Sequence, residues 1–341
     1  MKQNPRQFSL KKIILNVFSK IPVFERLYRS NKEKGIILVY HQVRDPVSFE
    51  KQLAFISQNY RVIPVEELVA LVAGGKQLPE HSLSITFDDG YGNVYKNAYH
   101  VLSKYKCTAT VFLNTGFINT KKPIWPIWVR EYIYHSREKF LHYHSGNIDL
   151  SLDISRRKEK TRAFQKLSPL FKHEMQIDLW QNLDRLWEAA GKPEVCWDQE
   201  DLLLTWDQVH DMDLSGWVRF GNHTDMHRIL PWIDSTSLGR EIDRADVILN
   251  SHLSSRSSVF AYPNGEYDDR VIRHLQEKGY IGSLTTREQF ITNRSELMRL
   301  ERIGANYDED VQLLKLRLCG ALPVMKMIFR KVVGSSSNIG F

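Results

Sequence analysis

Apolar and polar positions along the chain fall into two alternating patterns. Short apolar runs rich in β-branched residues occur at 35–41 (GIILVYH), 60–63, 83–87 (LSITF), 108–113 (TATVFL), 217–222, 258–262 and 280–285. Runs of this kind, with little polar alternation, predict strands covered on both faces. Between them lie stretches with helical spacing, at 47–58, 65–72, about 94–105, 205–213, about 236–251 and 267–278. In the first of these, Phe49, Leu53 and Ile56 take the inward positions. Strands alternating with helices imply a parallel sheet with helices outside it, open or closed. The rhythm breaks from about 120 to 204, where β signals are few, charge is dense (RRKEKTR at 156–162) and helical spacing runs through 156–190. A helical insertion is predicted there. Its tryptophans, Trp125, Trp128, Trp180, Trp187 and Trp197, are expected to be core rather than an exposed aromatic face.

Four predicted strands end in polar clusters. The first ends at His41, and LSITF runs into Asp88-Asp89-Gly90. The strand 217–222 runs into His223-Thr224-Asp225-Met226-His227, and 258–262 into Tyr262-Pro263-Asn264-Gly265. In parallel α/β folds the C-terminal strand ends gather on the face that carries the active site. His41, Asp88, Asp89, His223 and His227 are therefore expected to converge. Singly, each has a plain structural reading: Asp-Asp-Gly and Tyr-Pro-Asn-Gly as turns, His41 as a core histidine. Together, at four strand ends, they point to a site. Two imidazoles and a carboxylate form a metal-ligand set with open positions, as in hydrolytic zinc or iron sites. The second carboxylate is then free to act as a general base, and His41 as the general acid.

Composition and charge narrow the functional classes. At 42% hydrophobic and 26% charged residues, the chain is neither disordered nor a fibrous repeat. Cys107, Cys196 and Cys319 are far apart and lack C-x-x-C spacing, which excludes a metal knuckle and a disulfide framework and favours a reducing compartment. The net charge of +7 is uneven. Residues 1–34 carry nine Lys/Arg against two Glu, residues 311–341 carry five against none, and the body 35–310 is left at −5. Basic charge confined to the two ends argues against nucleic acid as a partner. No stretch reaches the ~18 apolar residues of a spanning helix, and the apolar run Ile13–Phe18 is too short for a signal peptide. Residues 11–29 and 313–333 mix apolar and basic positions; they are expected to pack on the domain, with peripheral contact to an anionic membrane as the alternative. The expected organisation is a basic segment 1–34, a domain 35–310 carrying the insertion, and a basic apolar tail 311–341. The expected location is the cytoplasm, touching the inner membrane face at most.

The motifs resemble those of the polysaccharide deacetylase family (carbohydrate esterase family 4, the NodB-homology domain). The likeness runs from about Ile36 to Ile303 and rests on TFDDGY at 86–91, GNHTDMH at 221–227 and FAYPNGEYD at 260–268, supported by ILVYHQV, TATVFLNTGFI and GYIGSLTT around them. It implies a distorted (β/α) barrel of about seven parallel strands and a hydrolase that removes N- or O-acetyl groups from a glycan or a lipid-linked saccharide. It also implies a divalent metal, zinc first, with cobalt, nickel or ferrous iron as alternatives. By motif, Asp88 resembles the catalytic base, and Asp89, His223 and His227 the metal ligands. The Pro263-Asn264-Gly265 turn resembles the groove motif whose backbone N–H helps hold the oxyanion, so Tyr262, Pro263 and Asn264 are expected to bind substrate. Ala261 stands where the family has an arginine that orients the base, and Arg219 where an acidic residue often stands. No histidine follows His274, so the family's late acid histidine is missing. Circularly permuted, exopolysaccharide-type members carry it ahead of TFDDG, which makes His41 the candidate acid. The rival readings are a deformylase or amidase acting on a membrane-bound sugar lipid, and an inactive glycan-binding barrel.

Overall fold

A computed structural model describes residues 23–321. The helix α1 (Val23–Ser30) leads into β1 (Ile36–Tyr40), α2 (Pro46–Asn59), β2 (Arg61–Val62), α3 (Val65–Ala73) and β3 (Ser82–Phe87). A π-helical segment, Val94–Tyr99, runs directly into α4 (His100–Lys104), and β4 (Ala109–Leu113) follows. The insertion holds α5 (Trp125–His135), β5 (Phe140–Ser145), β6 (Ile148–Asp153), α6 (Arg157–Lys172) and α7 (Leu179–Ala189). The alternation then resumes with α8 (Trp206–Leu214), β7 (Val218–Asn222), α9 (Ser235–His252), β8 (Val259–Ala261), α10 (Asp269–Glu277), β9 (Gly282–Leu284), β10 (Ile303–Gly304) and α11 (Val311–Leu318).

The main sheet is parallel throughout, in the order β10-β1-β3-β4-β7-β8-β9, with β2 also paired to β3. Its longer strands are buried along their length, β1, β3 and β4 at every position, as their unbroken apolar runs predict. The segment Leu300–Gly304 joins the two ends of this sheet. Leu300 pairs with Leu284 of β9, while Ile303 and Gly304 pair with Leu38 and Val39 of β1. The result is a curled α/β barrel of about seven strands, the parallel sheet of the apolar pattern in the form that the family resemblance implies. Phe49, Leu53 and Ile56 of α2 are fully buried against it, in one cluster with Leu38, Phe87 and Val111.

The insertion differs from its prediction in one respect: it is not wholly helical. β5 and β6 form an antiparallel hairpin whose buried positions alternate, Leu141 and Tyr143 facing a local core while Phe140, His142 and His144 are exposed. Alternation carries a weaker signal than the buried runs of the barrel, and the surrounding charge masked it. The insertion's core joins Trp125, Val129 and Ile133 of α5 to Leu167 and Phe171 of α6 and Leu183 and Leu186 of α7. Trp125 is core as expected; Trp128, Trp180 and Trp197 pack partly buried around it.

The described parts of the two basic ends lie together. Leu27 and Tyr28 of α1 pack against Leu313, Leu316 and Cys319 at α11, and the Tyr28 ring stacks on His81 at 4.1 Å. The rest of the stretches 11–29 and 313–333, which were expected to pack on the domain with membrane contact as the alternative, lies outside the described residues. Among the described residues, no helix is long and apolar enough to cross a membrane. All three cysteines are free.

Candidate active site

β3 delivers Asp88 and Asp89 immediately past its last residue, and β7 delivers His223 in the same way. The ends of β3 and β7, on either side of β4, thus bring together residues more than 130 positions apart. Asp89 Oδ1 lies 3.5 Å from His223 Nε2 and 3.3 Å from His227 Nε2, and all three residues are buried. One ligand atom from each lies within 4.8 Å of the others. The backbone is bent to achieve this: Asp89, Thr224, His227 and Asn264 all have left-handed φ, at 69°, 73°, 54° and 58°. Non-glycine residues hold such conformations where the surrounding structure imposes them, often at functional sites. At Gly90, φ is +80° and a Cβ would meet Leu113 Cδ2 at 2.5 Å, so the turn after Asp89 requires glycine.

The electrostatics of this trio call for a cation. The Nδ1 of His223 is 2.7 Å from the Ala261 carbonyl oxygen, which fixes Nδ1 as the donor and leaves Nε2 as a bare lone pair in the neutral ring. Burial pushes the His223 pKa down to about 4 despite the pull of Asp88 and Asp89, so the ring stays neutral near pH 7. Burial pushes Asp89 up, but His227 beside it, then His41 and His223, bring it well below the usual carboxylate range. An ionised carboxylate therefore faces the His223 lone pair in a buried place. Asp89 Oδ1 finds no well-directed donor there, and His227 Nδ1 is buried without a partner. Two imidazoles and one carboxylate oxygen suit a divalent ion of the zinc type, and the hydrogen bond from His223 to Ala261 is the kind of outer support that orients such a ligand.

Around the trio, a set of residues that the sequence reading did not assign to the site braces the His223–His227 turn. Trp125 of the insertion donates its Nε1–H to the His227 carbonyl at 2.8 Å. Asn114 donates to the His223 carbonyl. The Met226 N–H donates to Glu241 Oε2 at 2.8 Å, and Thr115 Oγ1 to Asp225 Oδ1 at 2.8 Å. Burial pushes the Glu241 carboxyl up to about 7, against the hydrogen bond from Met226. Asn114 and Thr115 sit at the end of β4, where strand-end position was the available signal; Glu241 on α9 had none.

Asp88 is set differently. It is buried, and both its oxygens accept from Arg302, Oδ1 from Nη1 and Oδ2 from Nη2, each at 2.7 Å. Arg302 is itself fully buried and donates its Nε–H to the Thr285 carbonyl at 2.8 Å. Burial pushes the Asp88 pKa up, but Arg302 and then His223 outweigh it and hold the carboxyl below its ordinary value. The arginine missing at Ala261 is therefore replaced by one from the segment that closes the barrel. Ala261 still serves the site, through its carbonyl.

His41 follows the last residue of β1, next to β3, and its charge is felt by both Asp88 and Asp89. It is exposed, which removes the core-histidine reading. His274 is remote from this group; it pairs with Asp243 of α9 at 2.8 Å. Tyr262 requires a correction. Its ring is fully buried in a cluster with Phe260 and Val271, and its hydroxyl donates to the Met298 carbonyl at 2.9 Å. An apolar wall of the β8 end needs that ring, and the main chain is engaged too, its N–H donating to the Leu284 carbonyl at 3.1 Å and its carbonyl accepting from the Gly265 N–H at 2.8 Å. Pro263 is buried too, and Asn264 is half-buried with its Oδ1 accepting from Lys172 of the insertion at 2.7 Å.

The family model described as Polysaccharide deacetylase matches residues 75–282. A poly-β-1,6-N-acetyl-D-glucosamine N-deacetylase of Staphylococcus epidermidis is 22% identical over 310 residues, covering 83% of each chain. A putative polysaccharide deacetylase of Bacillus subtilis is 31% identical over 107 residues, which span 29% of this chain and 38% of that protein. Among solved structures, the deacetylase PplD of Streptococcus pyogenes in complex with acetate aligns with a TM-score of 0.56 at 18% identity, over 84% of this chain and 98% of that one. IcaB from Ammonifex degensii gives 0.55 at 18% identity, over 85% and 97%. At that identity the structural likeness concerns the fold.

Proposed function

Because this chain belongs to the polysaccharide deacetylase family, we propose that it is a metal-dependent hydrolase that removes N-acetyl groups from an amino-sugar glycan, cutting a carbon–nitrogen bond that is not a peptide bond. The observation that carries this reading is the buried, cation-seeking trio Asp89, His223 and His227 beside an ionised carboxylate, Asp88, that is already paired. The N-deacetylases among its relatives support an N-acetylated exopolysaccharide as the substrate class.

Asp89, His223 and His227 would hold the ion, with zinc the first choice for this donor set. When bound, such an ion polarises an acyl carbonyl and eases the ionisation of water. Asp88 takes the proton of the attacking water as its oxygen bonds to the acetyl carbon. Arg302 keeps Asp88 ionised and fixes the direction of its oxygens. The oxyanion that forms is held by backbone N–H in the 263–265 turn. At Gly265, φ is +73° and a Cβ would meet Thr286 N at 2.6 Å, so that turn is tightly specified. His41 protonates the amine as the carbon–nitrogen bond breaks, leaving acetate and a free amino sugar. The basic–apolar stretches 11–29 and 313–333 leave peripheral contact with an anionic membrane on the cytoplasmic side as the alternative to packing on the domain; recovery in the soluble pool or in a salt-extractable membrane pool is the expected outcome.

The deciding experiment is mass spectrometry of a panel of acetylated oligosaccharides incubated with metal-loaded full chain. Acetate release with one free amine per event is expected. Metal bound in stoichiometric amount with no acyl release from any member of the panel would favour a glycan-binding barrel and overturn the reading.

A further inference from the structure

Past its last ligand-type histidine, the chain turns through a short helical segment, Leu230–Trp232, and there leaves a tryptophan partly in solvent. Trp232 is 41% exposed, while Leu230 and Ile233 on either side are buried. This exposure is held in place by the structure around it. The Arg270 guanidinium donates to the carbonyls of Pro231 and Ile233, at 2.9 and 3.0 Å. The indole Nε1–H donates to Glu266 Oε2 at 3.0 Å, which fixes the plane of the ring. The His173 ring, at the end of α6 in the insertion, packs on the indole at 4.7 Å and lies 3.3 Å from Glu266 Oε1. An exposed indole whose edge is anchored has lost its rotamer freedom in advance, so a ligand would not have to order it.

A cavity of about 460 Å³ opens at this place, lined by Pro231, Trp232, Gly265, Glu266 and Tyr267. Its size falls in the range of about 300–1,000 Å³ typical of small-molecule sites. One of its lining residues, Gly265, belongs to the turn proposed to hold the oxyanion. Asn264 in the same turn is tied to Lys172 of the insertion at 2.7 Å and also donates to Glu266. An aromatic plate, a second ring from Tyr267 and a carboxylate beside a deacetylation centre have the chemistry to hold a sugar ring: C–H faces against the aromatic surface and hydroxyls toward the carboxylate.

We propose that the cleft between Trp232 and Tyr267 is a binding subsite for the sugar ring adjoining the one that is deacetylated, with the insertion residues Lys172 and His173 setting its geometry. The proposal rests on the glycan reading above and adds to it that the enzyme measures at least two linked sugars.

The test compares N-acetylglucosamine and its trimer as substrates of the metal-loaded full chain. KM is expected to fall from monomer to trimer in the wild type. Trp232→Ala should abolish most of that gain, raising KM for the trimer roughly tenfold while kcat changes less, and Trp232→Phe should restore much of it. Calorimetric titration of the trimer into the Asp88→Asn protein, with and without Trp232→Ala, reads binding apart from turnover and should show the same difference. Equal trimer affinity with and without Trp232, in proteins of unchanged thermal stability, would overturn the subsite and leave the glycan reading intact. Absence of both trimer binding and trimer deacetylation in the wild type would overturn the two together.

Discussion

Asp88 and Asp89 are adjacent in the chain and equally buried, yet their surroundings solve the same problem in opposite ways. Asp88 receives a complete internal counter-ion: Arg302 occupies both of its oxygens in a fork of two 2.7 Å hydrogen bonds. Asp89 receives no such fork. Its Oδ1 faces the Nε2 atoms of His223 and His227, and burial keeps His223 neutral near pH 7. A buried carboxylate costs several kcal/mol unless a cation compensates it. One half of the site is therefore finished by the protein, and the other is finished only by an ion from outside. The difference assigns roles: the paired carboxylate stays ionised without the ion and can take a proton, while the unpaired one is a ligand.

Removing a ligand should have the largest effect. His223→Ala or His227→Ala is expected to strip the metal and lower activity by more than the ~10²–10⁴-fold typical of losing a general base. Metal analysis of the purified variants checks this, and full metal content in both would dissolve the contrast between the two carboxylates. Next in size, Asp88→Asn should cost ~10²–10⁴-fold in rate while the metal content stays at the wild-type level. Loss of metal in that variant would mean that Asp88 belongs to the ligand set.

Arg302→Gln sharpens the comparison, because it makes Asp88 resemble Asp89. An uncompensated buried carboxylate is expected to destabilise the fold by about 3–5 kcal/mol, read as a lower unfolding midpoint in denaturant. Since Arg302 holds the Asp88 pKa down, its removal should raise that pKa and move the acid limb of the pH–rate profile to higher pH. Arg302→Lys, which keeps the charge but not the fork, should fall between wild type and Arg302→Gln. An unmoved acid limb in both would show that the pair is structural. The smallest effect is expected from His41→Ala, because the residue is exposed and touches neither carboxylate pair directly. It should retain metal and slow amide substrates more than an aryl acetate, whose leaving group needs no proton. Wild-type rates on an amide would remove His41 from the reaction.

The legible parts of this molecule share one property: their signals are local. The apolar runs of β1, β3 and β4 read as buried strands because both faces of a parallel sheet are covered, so no polar alternation interrupts them. The polar residues ending those strands then had to share a face, and Asp88, Asp89, His223 and His227 do lie together. The hairpin of the insertion was missed for the converse reason. Its strands show one face to water, and their half-polar pattern is hard to separate from that of a charged helix. Tyr262 was misread because a turn motif carries no information on whether its first ring points into a core or a groove.

From the chain alone come the alternation of elements, the strand ends that hold the chemistry and the sites of the sharp turns, since each depends on residues within about ten positions of one another. Arg302 depends on more. In the stretch RLERIGAN it is one of two arginines, with no distinguishing neighbour. It becomes the partner of Asp88, 214 positions away, only because Leu300–Gly304 bridges β9 and β1 and turns its side chain into the barrel. The same holds for Trp232, whose partners Glu266 and His173 arrive from a different strand end and from the insertion. Local pattern decides what a segment becomes, because hydrogen bonding and burial of a strand or helix act over a few residues. Which charge is answered by which is settled by closure of the barrel, because desolvation and ion pairing act through space and take no account of distance along the chain.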